Sequence, residues 1–80
     1  MPTVLRSGPY RVYFFSHEPS EPPHVHVDRD DLSAKFWLQL LALVRNFGFS
    51  PRELAKIRAL IEENQKQLME AWHGHFGTKR

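Results

Sequence analysis

The stretch formed by residues 21–28 constrains the fold more than any other, because two prolines lead directly into a strict alternation of side chains. Each proline fixes φ and removes a backbone donor, which stiffens the entry and favours extended backbone. The His-Val-His-Val run that follows has the period of two that is typical of a β-strand. We therefore expect Val25 and Val27 to face a core, and His24 and His26 to share the opposite face.

Other runs also have the composition of strands. Residues 10–15 are rich in aromatic and β-branched side chains, residues 33–38 alternate, and residues 3–6 could form a short edge strand. Local connections between these runs favour an antiparallel meander. The side chains that this arrangement directs to the core are Val12, Phe14, Val25, Val27, Ala34, Phe36 and Leu38.

The second half of the chain has helical signals. The apolar residues within 39–47, followed by Gly48, predict a short helix that ends at the glycine. Ser50, Pro51 and Glu53 form a capping-box start for a second helix, which should run to about residue 73 or 74. Its apolar stripe consists of Leu54, Ile57, Ile61, Leu68 and Trp72, with Asn64 as the polar exception.

Together these signals predict an α+β fold in a single domain of residues 1–80. It would contain a small antiparallel sheet of three or four strands, a short helix, and a long C-terminal amphipathic helix packed on one sheet face. The chain has no cysteine, which excludes disulfides and thiolate metal sites and fits a reducing cytoplasm. The N-terminus lacks the apolar region of a signal peptide, and the apolar run 38–44 is too short to span a bilayer. We therefore expect a cytoplasmic protein without a membrane partner.

The face opposite the predicted core is the candidate site. Its side chains would be Arg11, Tyr13, Phe15, His24, His26, Lys35 and Trp37. Aromatic rings can stack on bases, cations can neutralise phosphates, and histidines exchange protons near neutral pH. His24 and His26 are the candidate catalytic residues, and Arg11, Tyr13, Lys35 and Trp37 the candidate binding residues. Alternatively, the aromatic rings are covered by the N-terminal segment, the proline-rich loop or another chain.

A metal site is a second interpretation of the histidine pair. Imidazole nitrogens and carboxylate oxygens can bind zinc, but a His-x-His pair alone is a weak motif and is more often hydrogen-bonded. We therefore expect neither a metal nor another cofactor. Further ligands, if used, would come from His17, Glu18 or Glu21.

Several blocks of the sequence resemble a family of small bacterial proteins that carries a domain of unknown function. The blocks are the N-terminal Met-Pro-Thr-Val with Arg6, then residues 10–16, 21–27, 34–38 and 45–50, and the final Trp-His pair. The Pro-Pro-His-Val-His block is the most specific. The resemblance implies a bacterial cytoplasmic setting and a toxin–antitoxin-like pair with a second small protein encoded nearby. After Leu38 this family commonly has an acidic residue and a proline, whereas this chain has Gln-Leu-Leu, which leaves the start of the short helix open.

Two functions follow as hypotheses. The first is a component of a toxin–antitoxin-like pair that acts through protein–protein contact. The alternative is an RNA-binding effector or metal-independent ribonuclease that uses His24 and His26. The net charge of +2 permits RNA binding without requiring it. So small a core beside so many aromatic residues also predicts self-association or a complex with another protein. Whether the protein is an enzyme stays open.

Overall fold

The protein is built on an antiparallel sheet of five strands that lie in the order of the chain. A computed structural model describes residues 3–14 and 21–76. The strands are β1 (Thr3–Ser7), β2 (Tyr10–Tyr13), β3 (His24–Arg29), β4 (Leu32–Trp37) and β5 (Leu43–Phe47). Helices α1 (Pro51–Glu63) and α2 (Gln65–Phe76) follow.

Two-residue turns set the register of two of the hairpins. Gly8, at a φ of 57°, and Pro9 join β1 to β2, so that Ser7 pairs with Tyr10. Asp30, at a φ of 56°, begins the turn between β3 and β4. Glycine tolerates positive φ because it has no Cβ, and aspartate is among the few other residues that adopt it. These tight turns keep the alternation of both strands in phase.

The core lies on one face of the sheet, beneath the helices. All seven side chains predicted to face it are buried, each with at most 2% of its surface exposed, which confirms the alternation. The helical stripe covers them, since Ile57, Ile61, Leu68 and Trp72 are also buried. Phe49, from the turn between β5 and α1, completes the cluster. Burying a large aliphatic or aromatic side chain contributes about 1.5–3 kcal/mol, so this cluster is the main source of stability.

The predicted short helix over residues 39–47 is wrong, and so is the predicted sheet of three or four strands. Residues 43–47 form β5 instead, which adds a fifth strand to the outer edge of β4. The apolar residues of this run do not share one buried helical face. Leu43 and Val44 are exposed, and a register shift opposite Lys35 and Phe36 accommodates an extra residue as a β-bulge. Gly48 ends a strand rather than a helix, at a φ of 103°.

The predicted long C-terminal helix is also wrong, because the chain forms two shorter helices that meet at Asn64. Asn64 leaves the helical region, at a φ of −116° and a ψ of 17°. Its side-chain amide donates to the Leu60 carbonyl over 2.9 Å, which gives the backbone an alternative to the regular helical ladder. The break thus falls on the polar exception in the stripe. No helix in residues 3–14 and 21–76 is both long enough and apolar enough to cross a bilayer.

The start of α1 is tied to the sheet by a carboxylate. The predicted cap is confirmed, because the Ser50 hydroxyl accepts from the Glu53 amide over 3.2 Å, with Pro51 in the first turn. The Glu53 carboxylate does not close the capping box. It accepts from Arg29, whose Nη2 lies 2.9 Å away, and from the Tyr10 hydroxyl at 2.8 Å. These hydrogen bonds join α1 to β2 and β3.

The Glu53 contacts predict a loss of stability in acid. Donation from Arg29, followed by donation from Tyr10, lowers the pKa of Glu53 below its ordinary value of 4.5. A carboxylate with a lowered folded-state pKa adds stability above its unfolded pKa, and this contribution is lost as pH falls through the folded pKa. We expect Glu53→Gln to be less stable than the wild type at neutral pH and to depend less on pH below about 4.5. Urea unfolding at a series of pH values measures both effects.

Glu62→Gln is the matched control, because Glu62 is exposed and lies 3.9 Å from Arg58. Exposed pairs of this kind contribute little to stability. If Glu53→Gln and Glu62→Gln gave the same pH profile, the role assigned to Glu53 would be incorrect.

Candidate functional site

The sheet face opposite the helices carries a row of four side chains, one from each of four strands. Tyr13 pairs with His26, His26 with Lys35, and Lys35 with Arg45. Side chains opposite one another on the same face of antiparallel strands are near neighbours. The row therefore places a phenol, an imidazole and two cationic groups side by side across the sheet.

Tyr13 stands at the β2 end of this row and contacts three neighbouring side chains. Its ring stacks on His26, with the ring centroids 5.3 Å apart, and the Arg11 guanidinium lies 4.6 Å from the Tyr13 centroid. The Tyr13 hydroxyl donates to the Asp28 carboxylate, whose oxygens are 3.1 and 3.2 Å away. Burial, together with the charge of Asp28 and this hydrogen bond, raises the pKa of Tyr13 to about 12. Tyr13 is therefore a neutral, oriented phenol that packs against His26.

The Tyr13 contacts predict that the protein loses stability in strong alkali. A group with a raised folded-state pKa contributes stability that is present below its unfolded pKa, here 10.0, and lost as pH rises through about 12. A Tyr10→Phe background removes the other tyrosine, so that the ultraviolet absorbance of phenolate reports Tyr13 alone. Asp28→Asn in that background should lower the pKa of Tyr13. If Tyr13 ionised near pH 10.0 in the Tyr10→Phe variant with Asp28 intact, the raised pKa assigned to Tyr13 would be incorrect.

The two candidate catalytic histidines lie in different environments. His24 is fully buried, and its Nδ1 lies 2.9 Å from the Pro22 carbonyl oxygen. Because that oxygen can only accept, Nδ1 is the ring nitrogen that donates in this contact. The His24 ring packs against Trp72, at a centroid distance of 4.9 Å, and stands nearly perpendicular to His26, at 85°. His24 thus links β3 to α2, whereas His26 is partly exposed.

His26 opens into a cleft of about 240 Å³, here called the cationic cleft. The Lys35 ammonium crosses it to the Glu21 carboxylate, with 2.7 Å between Nζ and Oε1. Lys35 also lies 5.3 Å from the Trp37 ring centroid, which places a cation over an aromatic face. The residues that line the cationic cleft are Glu21, His26, Ser33, Ala34, Lys35, Arg45 and Phe47.

The structure brings the candidate site residues to one face but not to one point. Arg11 and Tyr13 lie at the β2 side, Lys35 lies in the cationic cleft, and Trp37 lies beyond it near the end of β4. Phe15, together with the potential ligands His17 and Glu18, falls outside the described residues. Within residues 3–14 and 21–76, no three histidine, aspartate or glutamate side chains are grouped in a way that could hold a metal ion.

The edge of the sheet formed by β5 is exposed and carries three large apolar side chains, Leu43, Val44 and Phe47. Every residue of β5 is exposed, with Phe47 at 58% and Leu43 at 44%. Leu40, in the loop before β5, is 77% exposed. Beside it lies a second depression of about 210 Å³, here called the apolar depression. It is lined by Pro22, Pro23, Trp37, Gln39 and Leu40.

Hydrogen bonds hold the loop that presents Leu40. Leu41 adopts a φ of 54°, which is unfavourable for a leucine. Its carbonyl accepts from Arg58 of α1 over 3.1 Å, and the Leu38 carbonyl accepts from Gln65 of α2 over 2.6 Å. A non-glycine residue at positive φ persists only where its surroundings fix it, and such residues cluster at functional sites. The exposure of Leu40 is therefore a feature of an ordered loop.

Sequence reasoning missed the residues that β5 contributes to this region. The helix predicted over residues 39–47 includes Arg45 and Phe47, and in a helix they would not extend the row of His26 and Lys35. One signal was available. A helix ending at Gly48 would leave almost no chain before the cap at Ser50, whereas a strand and a tight turn fit that spacing.

The fold and this face define a class of protein: a small antiparallel sheet with two C-terminal helices on one face and a cationic cleft beside an exposed edge on the other. Residues 10–73 match the model of the family described as Domain of unknown function (DUF4160), and the chain belongs to that family. This match confirms the expected domain of unknown function. Comparisons with curated proteins and with solved structures found no match.

Proposed function

We propose that this protein acts by binding another protein, as one component of a toxin–antitoxin-like pair, and that β5 with the preceding loop forms the contact. The paired setting comes from the resemblance of the sequence blocks. The location of the contact rests on one structural observation, which is the distribution of exposed apolar side chains.

That distribution is concentrated in eight consecutive residues. In the described part of the chain, the large hydrophobic side chains that are exposed are Leu40, Leu43, Val44 and Phe47. Single exposed apolar residues are ordinary, but four of them on one edge strand and the loop before it indicate an interaction surface. Phe47 has the properties of an anchor, because aromatic side chains bury a large area and are enriched among the residues that dominate binding energy.

The backbone of β5 adds a second means of binding. An edge strand presents N–H and C=O groups that are not paired within its sheet, and an extended segment of another protein can bond to them. The opposite edge differs. β1 also pairs with its neighbour through a register shift, and among its side chains whose exposure is described, residues 5–7, Arg6 is the exposed one and Leu5 is partly buried. The two edges are therefore not equivalent as binding surfaces.

The test is co-expression with the small protein encoded by the adjacent gene, followed by calorimetric measurement of Kd. Phe47→Ser should weaken the complex by about tenfold or more, because loss of an anchoring aromatic typically costs above 1–2 kcal/mol. The thermal stability of the Phe47→Ser variant alone should change little, since Phe47 is exposed. Lys66→Ser on α2 serves as the exposed control and should bind as the wild type does. Sedimentation showing that the two proteins stay separate would overturn the proposal.

The second candidate is an RNA-directed effector, and the cationic cleft favours it. His26, Lys35 and Arg45 line one cleft, and this combination can contact a phosphate and move a proton. Its volume of about 240 Å³ is slightly below that of common ligand pockets, which suits one phosphate or one base. His24 would reach an RNA only if the segment at Pro22 moved, because its ring is buried. In this version His26 is the histidine with access to substrate.

An RNA cleavage assay in the presence of EDTA tests this candidate. His26→Ala should reduce cleavage by about 100-fold or more, the contribution typical of a general acid or base. His73→Ala is the control, because His73 is exposed on α2, away from the cleft residues. Equal cleavage by the wild type and His26→Ala would reject the ribonuclease.

A further inference from the structure

The row of side chains on the outward sheet face ends at a cation. It runs from Tyr13 through His26 and Lys35 to Arg45, and Arg45 stands on β5, the last strand of the sheet. Any strand that added to β5 would place one of its own residues opposite Arg45. Opposite charges at such cross-strand positions stabilise a sheet, and like charges destabilise it.

This position disfavours a second copy of the chain as the added strand. Arg45 is the central residue of Leu43–Phe47. Antiparallel pairing of β5 with another β5 over all five residues would therefore place Arg45 directly against Arg45. The β-bulge and the charge on β5 are features that natural edge strands use to prevent indiscriminate pairing. The edge is thus suited to a different chain with a complementary charge.

The neighbours of Arg45 specify the rest of the added strand. Phe47 lies two residues further along β5, shares the outward face, lines the same cationic cleft as Arg45, and is 58% exposed. Because side chains on one face of a strand recur every two residues, an apolar residue two positions from the acidic one would cover Phe47. Lys35, which lies opposite Arg45 in the row, is already paired with Glu21, so Arg45 is the cation that an acidic residue of the added strand would meet.

We infer that β5 accepts a sixth strand from a different protein, and that this strand carries a carboxylate opposite Arg45 and an apolar side chain opposite Phe47. The inference rests on the proposed binding function and adds the chemistry of the partner and the mode of contact. The added strand gains main-chain hydrogen bonds from the edge and specificity from the two side chains.

Charge reversal at Arg45 is the test, with the protein from the adjacent gene as the probe. Arg45→Glu should raise Kd by about tenfold or more, because coupling between close interfacial charges commonly exceeds 1.4 kcal/mol. The wild-type complex should also weaken with rising salt. Arg6→Glu is the matched control, since Arg6 is an exposed arginine on the opposite edge strand, and its Kd should equal that of the wild type.

Hydrogen exchange locates the contact independently. Complex formation should protect backbone amides of β5 and leave those of β1 unchanged. A complex that tolerates Arg45→Glu, or that protects β1, would overturn the inference and leave the binding function intact. The absence of any complex would reject the proposed function itself. Two further outcomes would overturn the inference about the added strand. One is self-association that is lost in Phe47→Ser. The other is RNA binding that is lost in Arg45→Glu while the protein complex survives.

Discussion

Replacing Trp72 with alanine is expected to destabilise the protein by about 3–5 kcal/mol, the range typical of a buried large aromatic residue. Trp72 is 3% exposed and packs between Phe14, at a centroid distance of 5.3 Å, and His24, at 4.9 Å. It therefore holds α2 against the ends of both β2 and β3. A chain of 80 residues has a total stability of about 4–12 kcal/mol, so this loss is a large part of the whole.

The second tryptophan provides a matched control. Trp37 lies on the other sheet face and is only partly buried, with the Lys35 ammonium 5.3 Å from its ring centroid. Trp37→Ala should cost about 1 kcal/mol. Guanidinium unfolding monitored by circular dichroism compares the two variants on the same scale. Equal losses would show that α2 is not anchored through Trp72.

Replacing Gly48 with alanine should cost about 2–4 kcal/mol. Gly48 has a φ of 103°, and holding a side-chain-bearing residue in such a conformation costs about 1–3 kcal/mol. An added Cβ would also clash with Cδ2 of Leu32. The leucine would have to leave its rotamer, at a further cost of about 0.5–1.5 kcal/mol. The turn between β5 and α1 therefore requires glycine.

Gly74 distinguishes this effect from a general cost of glycine replacement. It lies inside α2, and a Cβ built there meets no atom within 4 Å. Gly74→Ala should stabilise the protein by about 0.5–1 kcal/mol, because alanine favours helix and glycine does not. Thermal melts of both variants should therefore shift in opposite directions. A shift of the same sign in both would contradict the account of Gly48.

The central strands could be predicted from sequence because their signal depends only on local alternation. In a sheet, Val25, Val27 and Phe36 share one apolar face. The apolar stripe on the C-terminal helical segment indicates that this face is the one that the helices cover. The fifth strand could not be predicted in the same way. Leu43 and Val44 are apolar and adjacent, and both are exposed, so neither a period of two nor burial marked them as a strand.

The helix break and the second role of Glu53 depend on contacts that sequence does not specify. Asn64 is recognisable as a polar residue on the stripe, but the stripe does not reveal that its side-chain amide bonds to the Leu60 carbonyl where α1 ends. Glu53 had the spacing of a capping box, yet Arg29 competes for it from a strand 24 residues away. Long-range partners of this kind outweigh local preference, because charge-assisted hydrogen bonds are stronger than neutral ones.

The candidate site was predictable in part for the same reasons. The shared face of Tyr13, His26 and Lys35 followed from alternation, whereas Arg45 could join them only once β5 was known to be a strand. Sequence reasoning also treated His24 and His26 as equivalent. His24 is fully buried and its ring contacts Trp72 of α2, and strand alternation carries no information about that contact.

The strand order has a consequence for how the protein assembles during synthesis. Each strand pairs with the strand made immediately before it, so pairing closes short stretches of chain, and short closures are fast and cost little entropy. During synthesis, such a sheet is extended at one edge only, and the strand made most recently is always the edge strand at that side. We expect β5 to join the sheet before α1 and α2 have left the ribosome.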